Sequence, residues 1–373
     1  MSSRPRTEAA SSDSPRRVFL DHAGGTEVLP EVAEALREVP GGNPSSPHGE
    51  GRAALAALEG SRELAARALG VEPAEIVFTS SGTEAVNLGL LGAGRRLPQS
   101  APIVSWAAEH QSVLGALRRL QLEGRPVEIL PVDAGGFNTE ADLPGAALVS
   151  TSLANNEVGT VQPRVHAPEA LLHLDACQGP QWLDVDLRGV GLASFSGAKL
   201  GAGRGGLLFV RAGVRLDPLQ YGGPQERGRR AGREDVASAV AVATALAVCR
   251  EQRALRREAV KPLTTRLRRA LSAAGGRLTG AEPVLPNHAS AVFPGTRGED
   301  LLMALDLAGI AASSGSVCAS GSLDPSHVLL AMGLSLEDSL CGLRLTAGWS
   351  TGEAEIGRAE AILRSVLPAL VQP

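Results

Sequence analysis

Lys199 lies in SFSGAKLGAGRG, residues 194–205, and is followed within seven positions by Gly201, Gly203, Gly205 and Gly206. Such glycines let backbone come close to a ligand. An amine in a desolvated pocket can form a Schiff base with an aldehyde and, once released, carry the proton at a substrate α-carbon. The plainer reading is a flexible loop with an incidental lysine. One apolar run earlier, Asp175 ends LLHLD, residues 171–175. A carboxylate at the exit of a buried strand costs several kcal/mol, on the order of 2–7, unless a donor or cation meets it. A protonated ring nitrogen is such a partner, and the pairing strengthens the ring as an electron sink, the use to which a pyridoxal cofactor is put. Taken alone, Asp175 reads equally as a helix cap or a surface acid.

Cys318 lies in SSGSVCASGS, residues 313–322, a small, polar, glycine-bearing setting unlike that of Cys177, Cys249 or Cys341. Exposure and thiolate character are what nucleophilic sulfur needs; an inert surface thiol is the alternative. Ser80, Ser81, Gly82 and Thr83 stand between a β-branched run and a helical stretch, where free N–H groups suit a phosphate. Neither GxGxxG nor GxxxxGK[ST] occurs at these glycines, which disfavours a nucleotide enzyme. His110, after Glu109 at a helix start, could stack on a ring and exchange protons, or simply cap. Arg344, in GLRLTAG, has the fork that suits a carboxylate, or makes an ordinary ion pair. No HExxH, CxxC or close His/Cys pairing supports a metal site or a disulfide scaffold.

These residues need a scaffold that gathers them. Short apolar runs at 76–80, 103–106, 127–132, 147–151, 171–174, 192–195 and 206–210 predict strands, and helical stretches separate several of them, such as 110–122. Strands of this kind alternating with helices mark an α/β sheet covered on both faces, with ligands at the carboxyl ends of the strands. Residues 52–70 predict a helix closed by Gly70, with Ser81 or Thr83 the N-cap of the helix after 80. Residues 234–274 read as almost wholly helical, and the remainder as a smaller lobe. At 373 residues the chain exceeds the usual single core of about 250–300 residues. The expected division is a flexible tail at 1–17, a large cofactor-binding domain at 18–250, and a small C-terminal domain at 251–373 carrying the cysteine loop.

Composition narrows the partners. Hydrophobic residues are 43% and charged residues 20%, a globular balance, and the net charge is -4 with no long basic block. Nucleic acid is therefore not expected. The apolar run VASAVAVATALAVC at 236–249 falls short of the roughly 20 residues that cross a bilayer. The first residues lack a secretory h-region. A reduced, cytoplasmic setting without a membrane is the expectation.

In order and spacing, these stretches resemble the cysteine desulfurases, fold-type I pyridoxal phosphate enzymes related to class V aminotransferases. The resemblance rests on FLDHAGGT (19–26), GNPSSPHGEGR (42–52), IVFTSSGTEAVN (76–87), EH (109–110), ANNEVGTVQP (154–163), HLDACQ (173–178), SFSGAK (194–199), YGGPQERGRRAG (221–232), SSGSVCASGSLDPSHVLLAMG (313–333) and LRLTAGWST (343–351). It implies a large domain with a mostly parallel seven-stranded sheet plus a smaller α/β domain, pyridoxal 5'-phosphate as cofactor, L-cysteine as substrate, a homodimer and a sulfur-acceptor protein. It implies that Lys199 is the Schiff-base lysine and Asp175 the partner of the ring nitrogen. His110 would stack on the ring, with Asn155 and Gln178 holding the substrate side and the ring oxygen. Gly82, Thr83 and Ser196 would bind the phosphate, Arg344 and Asn155 the substrate carboxylate. Cys318 would form the persulfide, on a segment like that of the long-loop branch.

The chain departs from the family where the phosphate binds. Ala198 stands where the family has histidine, and Arg233 where it has a threonine that reaches the neighbouring subunit's phosphate. His22, Gly24, Gly25 and Val86 also differ. The expectation is that Arg233 crosses the dimer interface into the space left at Ala198. Two rival functions share the residues: a selenocysteine lyase or C–S/β-eliminating lyase that uses Lys199 and Asp175, and a non-catalytic sulfur-transfer scaffold.

Overall fold

The computed structural model describes residues 17–140, 142–315 and 324–371. The strands are β1 (Val18–Phe19), β2 (Ile76–Thr79), β3 (Ile103–Trp106), β4 (Val127–Leu130), β5 (Leu148–Ser152), β6 (Leu171–Asp175), β7 (Leu192–Ser196), β8 (Gly206–Val210), β9 (Arg277–Leu278), β10 (His288–Val292), β11 (Ile310–Ala311) and β12 (Gly342–Thr346). The helices are α1 (Pro30–Arg37), α2 (Gly49–Leu69), α3 (Gly82–Arg96), α4 (Gln111–Leu122), α5 (Gly197–Leu200), α6 (Val236–Ala273), α7 (Gly298–Leu307), α8 (His327–Ala331) and α9 (Glu353–Leu370).

The apolar runs fold as a seven-stranded sheet in the order β2-β8-β7-β6-β5-β3-β4. Only β8 runs against its neighbours, antiparallel to both β2 and β7, so β2 points the same way as β3 to β7. Alternate residues of one strand enter two separate cores. Leu192 of β7 meets α3 residues Ala85 and Leu88, whereas Ala193 and Phe195 join the cluster that holds Leu58 of α2 and Val242 and Leu246 of α6. Burial on both faces is why these strands read as continuous apolar runs rather than alternating ones.

Local chemistry sets the ends of the helices. Gly70 closes α2 in the left-handed conformation at φ 70°, which costs glycine no Cβ clash. Ser81, not Thr83, caps α3, its side chain accepting from the Glu84 N–H. Helix α6 serves two cores: Leu246 and Cys249 pack under the large sheet, whereas Leu263, Leu267 and Leu271 join Ala289, Leu343, Leu345 and α9 in a second core. Val18 and Leu20, near the start of the described chain, lie in that second core too, and β1 pairs in parallel with β11. The three-stranded sheet β12-β10-β9 supplies its layer. No described helix is long and apolar enough to cross a membrane.

Candidate active site

The parallel strands deliver their last residues to one edge of the sheet, and the loops beyond them enclose a cleft with about 630 Å³ of atom-free space, part of it open to solvent. After β2 come Ser81, Gly82 and Thr83; after β3, Ala108 and His110; after β5, Ala154, Asn155 and Asn156; after β6, Cys177 and Gln178. Asp175 itself ends β6, and Ser196 and Lys199 follow from β7. The reversed strand β8 contributes nothing to it. This is where an open α/β sheet places a ligand, outside the carboxyl ends of its strands.

Each side chain is held by its own loop. Asp175 is buried and its Oδ1 accepts from the Cys177 N–H at 3.0 Å. Lys199 sits in the short turn of α5, and its Nζ makes no hydrogen bond among the described residues. Burial pulls its pKa down, against the negative charges that Cys177 and Asp175 can carry. His110 caps α4: its Nδ1 accepts from the Ser112 N–H at 3.1 Å and lies 2.7 Å from Ser112 Oγ. An Nδ1 committed as acceptor leaves the proton of the neutral ring on Nε2. Burial, and then the Lys199 charge, lower the pKa of His110, which favours that neutral form.

Asn155 donates through Nδ2 to the Ala108 carbonyl at 2.9 Å, while its Oδ1 accepts from the Glu157 and Val158 N–H groups. Gln178 donates to the Ala23 carbonyl at 2.8 Å. Each amide nitrogen has a second hydrogen to offer. Gly82 packs so closely that a Cβ there would lie 2.7 Å from Cys177 Sγ and 2.9 Å from Ser196 Cβ; a larger residue would push the start of α3 away from the ends of β6 and β7.

Of the residues expected to act together, Gly82, Thr83, His110, Asn155, Asp175, Gln178, Ser196 and Lys199 line the one cleft. Arg344 stands behind its wall, where Nη2 donates to Asp21 Oδ1 at 2.6 Å and Nη1 to the carbonyl of Asn156 at 2.9 Å. Arg233 lies apart from the cleft and donates to the Gly42 carbonyl at 2.7 Å. Cys318 lies outside the described residues. Of the glycines after Lys199, only Gly206 packs against the cleft's surround, where a Cβ would lie 2.3 Å from the carbonyl carbon of Ser81. Gly201, Gly203 and Gly205 all have positive φ, and a Cβ on them would meet Leu29, Val28 and Val242. Their room lets the chain turn tightly from α5 into β8 against the N-terminal segment.

Two titratable groups, one lining the cleft and one buried behind it, escaped the sequence reading. Cys177, given no role there, lines the cleft two residues beyond Asp175, a spacing that already places it on the same strand exit. Its thiol is raised well above the ordinary value by burial and by the Asp175 charge. Glu109, quoted only as the neighbour of His110, is a buried acid pushed up to about 8 by burial and Asp175.

An acid at the end of a central parallel strand, an unpartnered lysine on the next strand's exit and a helix N-terminus across the cleft are the fold and site of the fold-type I pyridoxal phosphate enzymes. The sequence model of the class-V aminotransferases matches residues 18–356. The cysteine desulfurase IscS of Clostridium botulinum is 36% identical over 375 residues, covering 94% of each chain, and this chain belongs to the cysteine desulfurase family. A solved NifS-like protein superposes with a TM-score of 0.84 at 31% identity, over 95% of this chain and 99% of the other. SspA, solved in complex with cysteine, superposes with a TM-score of 0.72 at 28% identity, over 88% of this chain and 98% of its own.

Proposed function

We propose that the chain converts L-cysteine to L-alanine with pyridoxal 5'-phosphate and takes the sulfur onto Cys318 as a persulfide for an acceptor protein. The observation that carries this reading is the meeting, in one cleft, of a half-buried lysine amine that has no hydrogen-bond partner among the described residues with the strand-end carboxylate of Asp175. The likeness to SspA in complex with cysteine supports cysteine as substrate.

The residues fit the cofactor. When bound, it supplies an aldehyde carbon and a ring that accepts an electron pair. Lys199 would hold the aldehyde carbon and, when substrate takes its place, remove the α-proton. Asp175 would keep the ring nitrogen protonated. Thr83, Ser196 and the first N–H groups of α3, Gly82 among them, would hold the phosphate. Gln178 would reach the ring oxygen with its free N–H, and Asn155 the substrate side. His110 would stack on the ring with its proton on Nε2, within reach of the substrate's sulfur. Arg344 would take the substrate carboxylate.

Sulfur leaves carbon when a thiolate attacks it. An S–S bond forms as the C–S bond breaks, the electron pair passes to the substrate carbon, and a proton there completes alanine. The three described cysteines are poor candidates for that thiolate. Cys177, Cys249 and Cys341 each donate S–H to a carbonyl, those of Ser194, Leu200 and Glu337, and each needs its proton to do so. Burial raises all three, Cys249 to about 11. The chain has four cysteines, and the fourth is Cys318. A nucleophilic thiol and its persulfide suit a reducing compartment, the cytoplasm.

The working unit proposed is a homodimer in which Arg233, outside its own chain's cleft, serves the neighbour's phosphate site beside Ala198. Alanine, persulfide and sulfide are to be followed from L-cysteine with wild type and Cys318→Ala, each loaded with cofactor. Wild type should form alanine and enzyme-bound persulfide, and the variant neither. Equal alanine-forming turnover in the variant would instead identify a lyase that releases the heteroatom directly.

A further inference from the structure

We propose that Asp21 is a positioning residue for substrate carboxylate recognition, locking the guanidinium of Arg344, and that Gly24 is the residue that makes room for it; the inference rests on Arg344 receiving the substrate carboxylate. Arg344 lies on β12 with 5% of its surface exposed. A guanidinium turns about two bonds before it is useful, and here both of its ends are tied: Nη2 to Asp21 Oδ1 at 2.6 Å and Nη1 to the Asn156 carbonyl at 2.9 Å. The buried Nε–H has no hydrogen-bond partner among the described residues. Asn156 itself lines the cleft, so the fixed fork stands one residue behind the cleft wall, with two of its five N–H donors engaged and the buried Nε–H among those still to be met. A buried donor left unmet is costly, and an incoming carboxylate is the acceptor that fits an arginine fork best.

The carboxylate of Asp21 is placed by backbone rather than by chance. Asp21 bridges to Thr346 on the strand that carries Arg344, and its carbonyl accepts from the Gly24 and Gly25 N–H groups. A Cβ on Gly24 would lie 2.6 Å from Asp21 Oδ2 and 3.1 Å from Oδ1. Gly24 has no positive φ that would call for glycine, so its small size has a steric use: a side chain there would press on Oδ2 and oblige the carboxylate that holds Arg344 to shift. Besides Asp21, Glu157, Lys199 and His288 also feel the charge of Arg344. None of these three is hydrogen-bonded to its guanidinium, and Asp21 alone fixes its direction by an ion pair.

The test uses cofactor-loaded wild type, Asp21→Asn, Gly24→Ala, Arg344→Lys and the Asp21→Asn/Arg344→Lys double variant. KM and kcat for L-cysteine, and the Kd of L-alanine by calorimetry, are measured for each. Binding of cysteamine, which lacks the carboxylate, is the control. Asp21→Asn and Gly24→Ala should each raise KM and the Kd of L-alanine about three- to tenfold, the scale of one misplaced charged hydrogen bond, while kcat stays within about twofold. The double variant should be no worse than Arg344→Lys, and cysteamine should bind all alike. If Arg344→Lys weakens both ligands but Asp21→Asn and Gly24→Ala do not, the positioning role is wrong and the role of Arg344 stands. If Arg344→Lys changes neither KM nor Kd, both are wrong. A lower KM in Asp21→Asn would make Asp21 a competitor for Arg344, and weakened cysteamine binding a general prop of the fold; either result overturns the proposal.

Discussion

Glu109→Gln asks whether the cleft wall keeps an acid neutral beside Asp175. Glu109 is 2% exposed. Its Oε1 accepts from the Ser152 N–H at 2.8 Å, and its Oε2 is buried with no hydrogen-bond partner among the described residues. Burial and the Asp175 charge push its carboxyl up to about 8, from an ordinary 4.5. Between those two values the folded chain holds a proton that the unfolded chain has released, so stability falls as pH rises through the window. The contribution is full below about pH 4.5 and gone above about pH 8. From pH 6 to pH 9, about 2 pH units of the window are crossed, worth about 3 kcal/mol at 1.36 kcal/mol per unit. Glutamine copies the shape of the neutral acid, keeps an acceptor for Ser152 and cannot ionise. In urea denaturation at pH 6 and at pH 9, wild type should therefore lose about 3 kcal/mol relative to Glu109→Gln. Parallel pH profiles for the two proteins would refute the reasoning, because they would mean that Glu109 is already ionised in the fold at pH 6.

Three other changes test the frame around the cleft. Lys199→Ala should abolish both the yellow colour of cofactor-loaded protein and alanine formation, the latter by at least about 10²-fold; a coloured, active variant would displace Lys199 from its role. Arg62 and Glu226 form a buried pair, with Nη1 to Oε2 at 2.8 Å and Nη2 to Oε1 at 3.0 Å, and Glu226 also accepts from the Phe78 N–H of β2. Glu226→Gln leaves the buried arginine with only the part-exposed Glu59, 3.1 Å from its Nε, as counter-ion, and should cost about 2–3 kcal/mol in urea denaturation, with looser cofactor binding if the segment leading to Arg233 shifts. Gly348→Ala would set a Cβ 2.1 Å from the ring of buried His22, and should lower stability by about 1–3 kcal/mol; an unchanged denaturation midpoint would show that the histidine can move aside.

Much of the large sheet was legible because its strands are buried on both faces, so length and apolar character marked them without any alternation to read. Asp175 and Lys199 were legible for the same reason, as polar residues at the exits of such strands. What the sequence does not carry is long-range placement. The pairing of β1 with β11 joins two-residue strands nearly 300 positions apart, and no local pattern announces it. The glycines after Lys199 looked like a ligand cradle because their φ signature is the same in a cradle and in a tight turn. Their packing partners, Leu29, Val28 and Val242, come from elements distant in sequence. Arg344 could be read only as a fork in search of a carboxylate. That its nearest one is Asp21 depends on β12 bridging the N-terminal segment.

The cleft shows why one carboxylate can dominate a site crowded with titratable groups. Around Asp175, burial drives each neighbour toward its uncharged form: Glu109 holds its proton up to about 8, Cys177 stays a thiol, and His173 is depressed to about 4 while bridging Ser150 and Ser194 at 2.9 Å each. His110 is lowered as well. Groups made neutral by desolvation neither repel a cation arriving at Asp175 nor compete for it. In a low-dielectric setting, where a lone charge acts strongly over several ångströms, that selectivity needs no special geometry at Asp175 itself. The same burial disqualifies Cys177 as the sulfur acceptor: it keeps this thiol from ionising, so the nucleophile has to come from elsewhere in the chain.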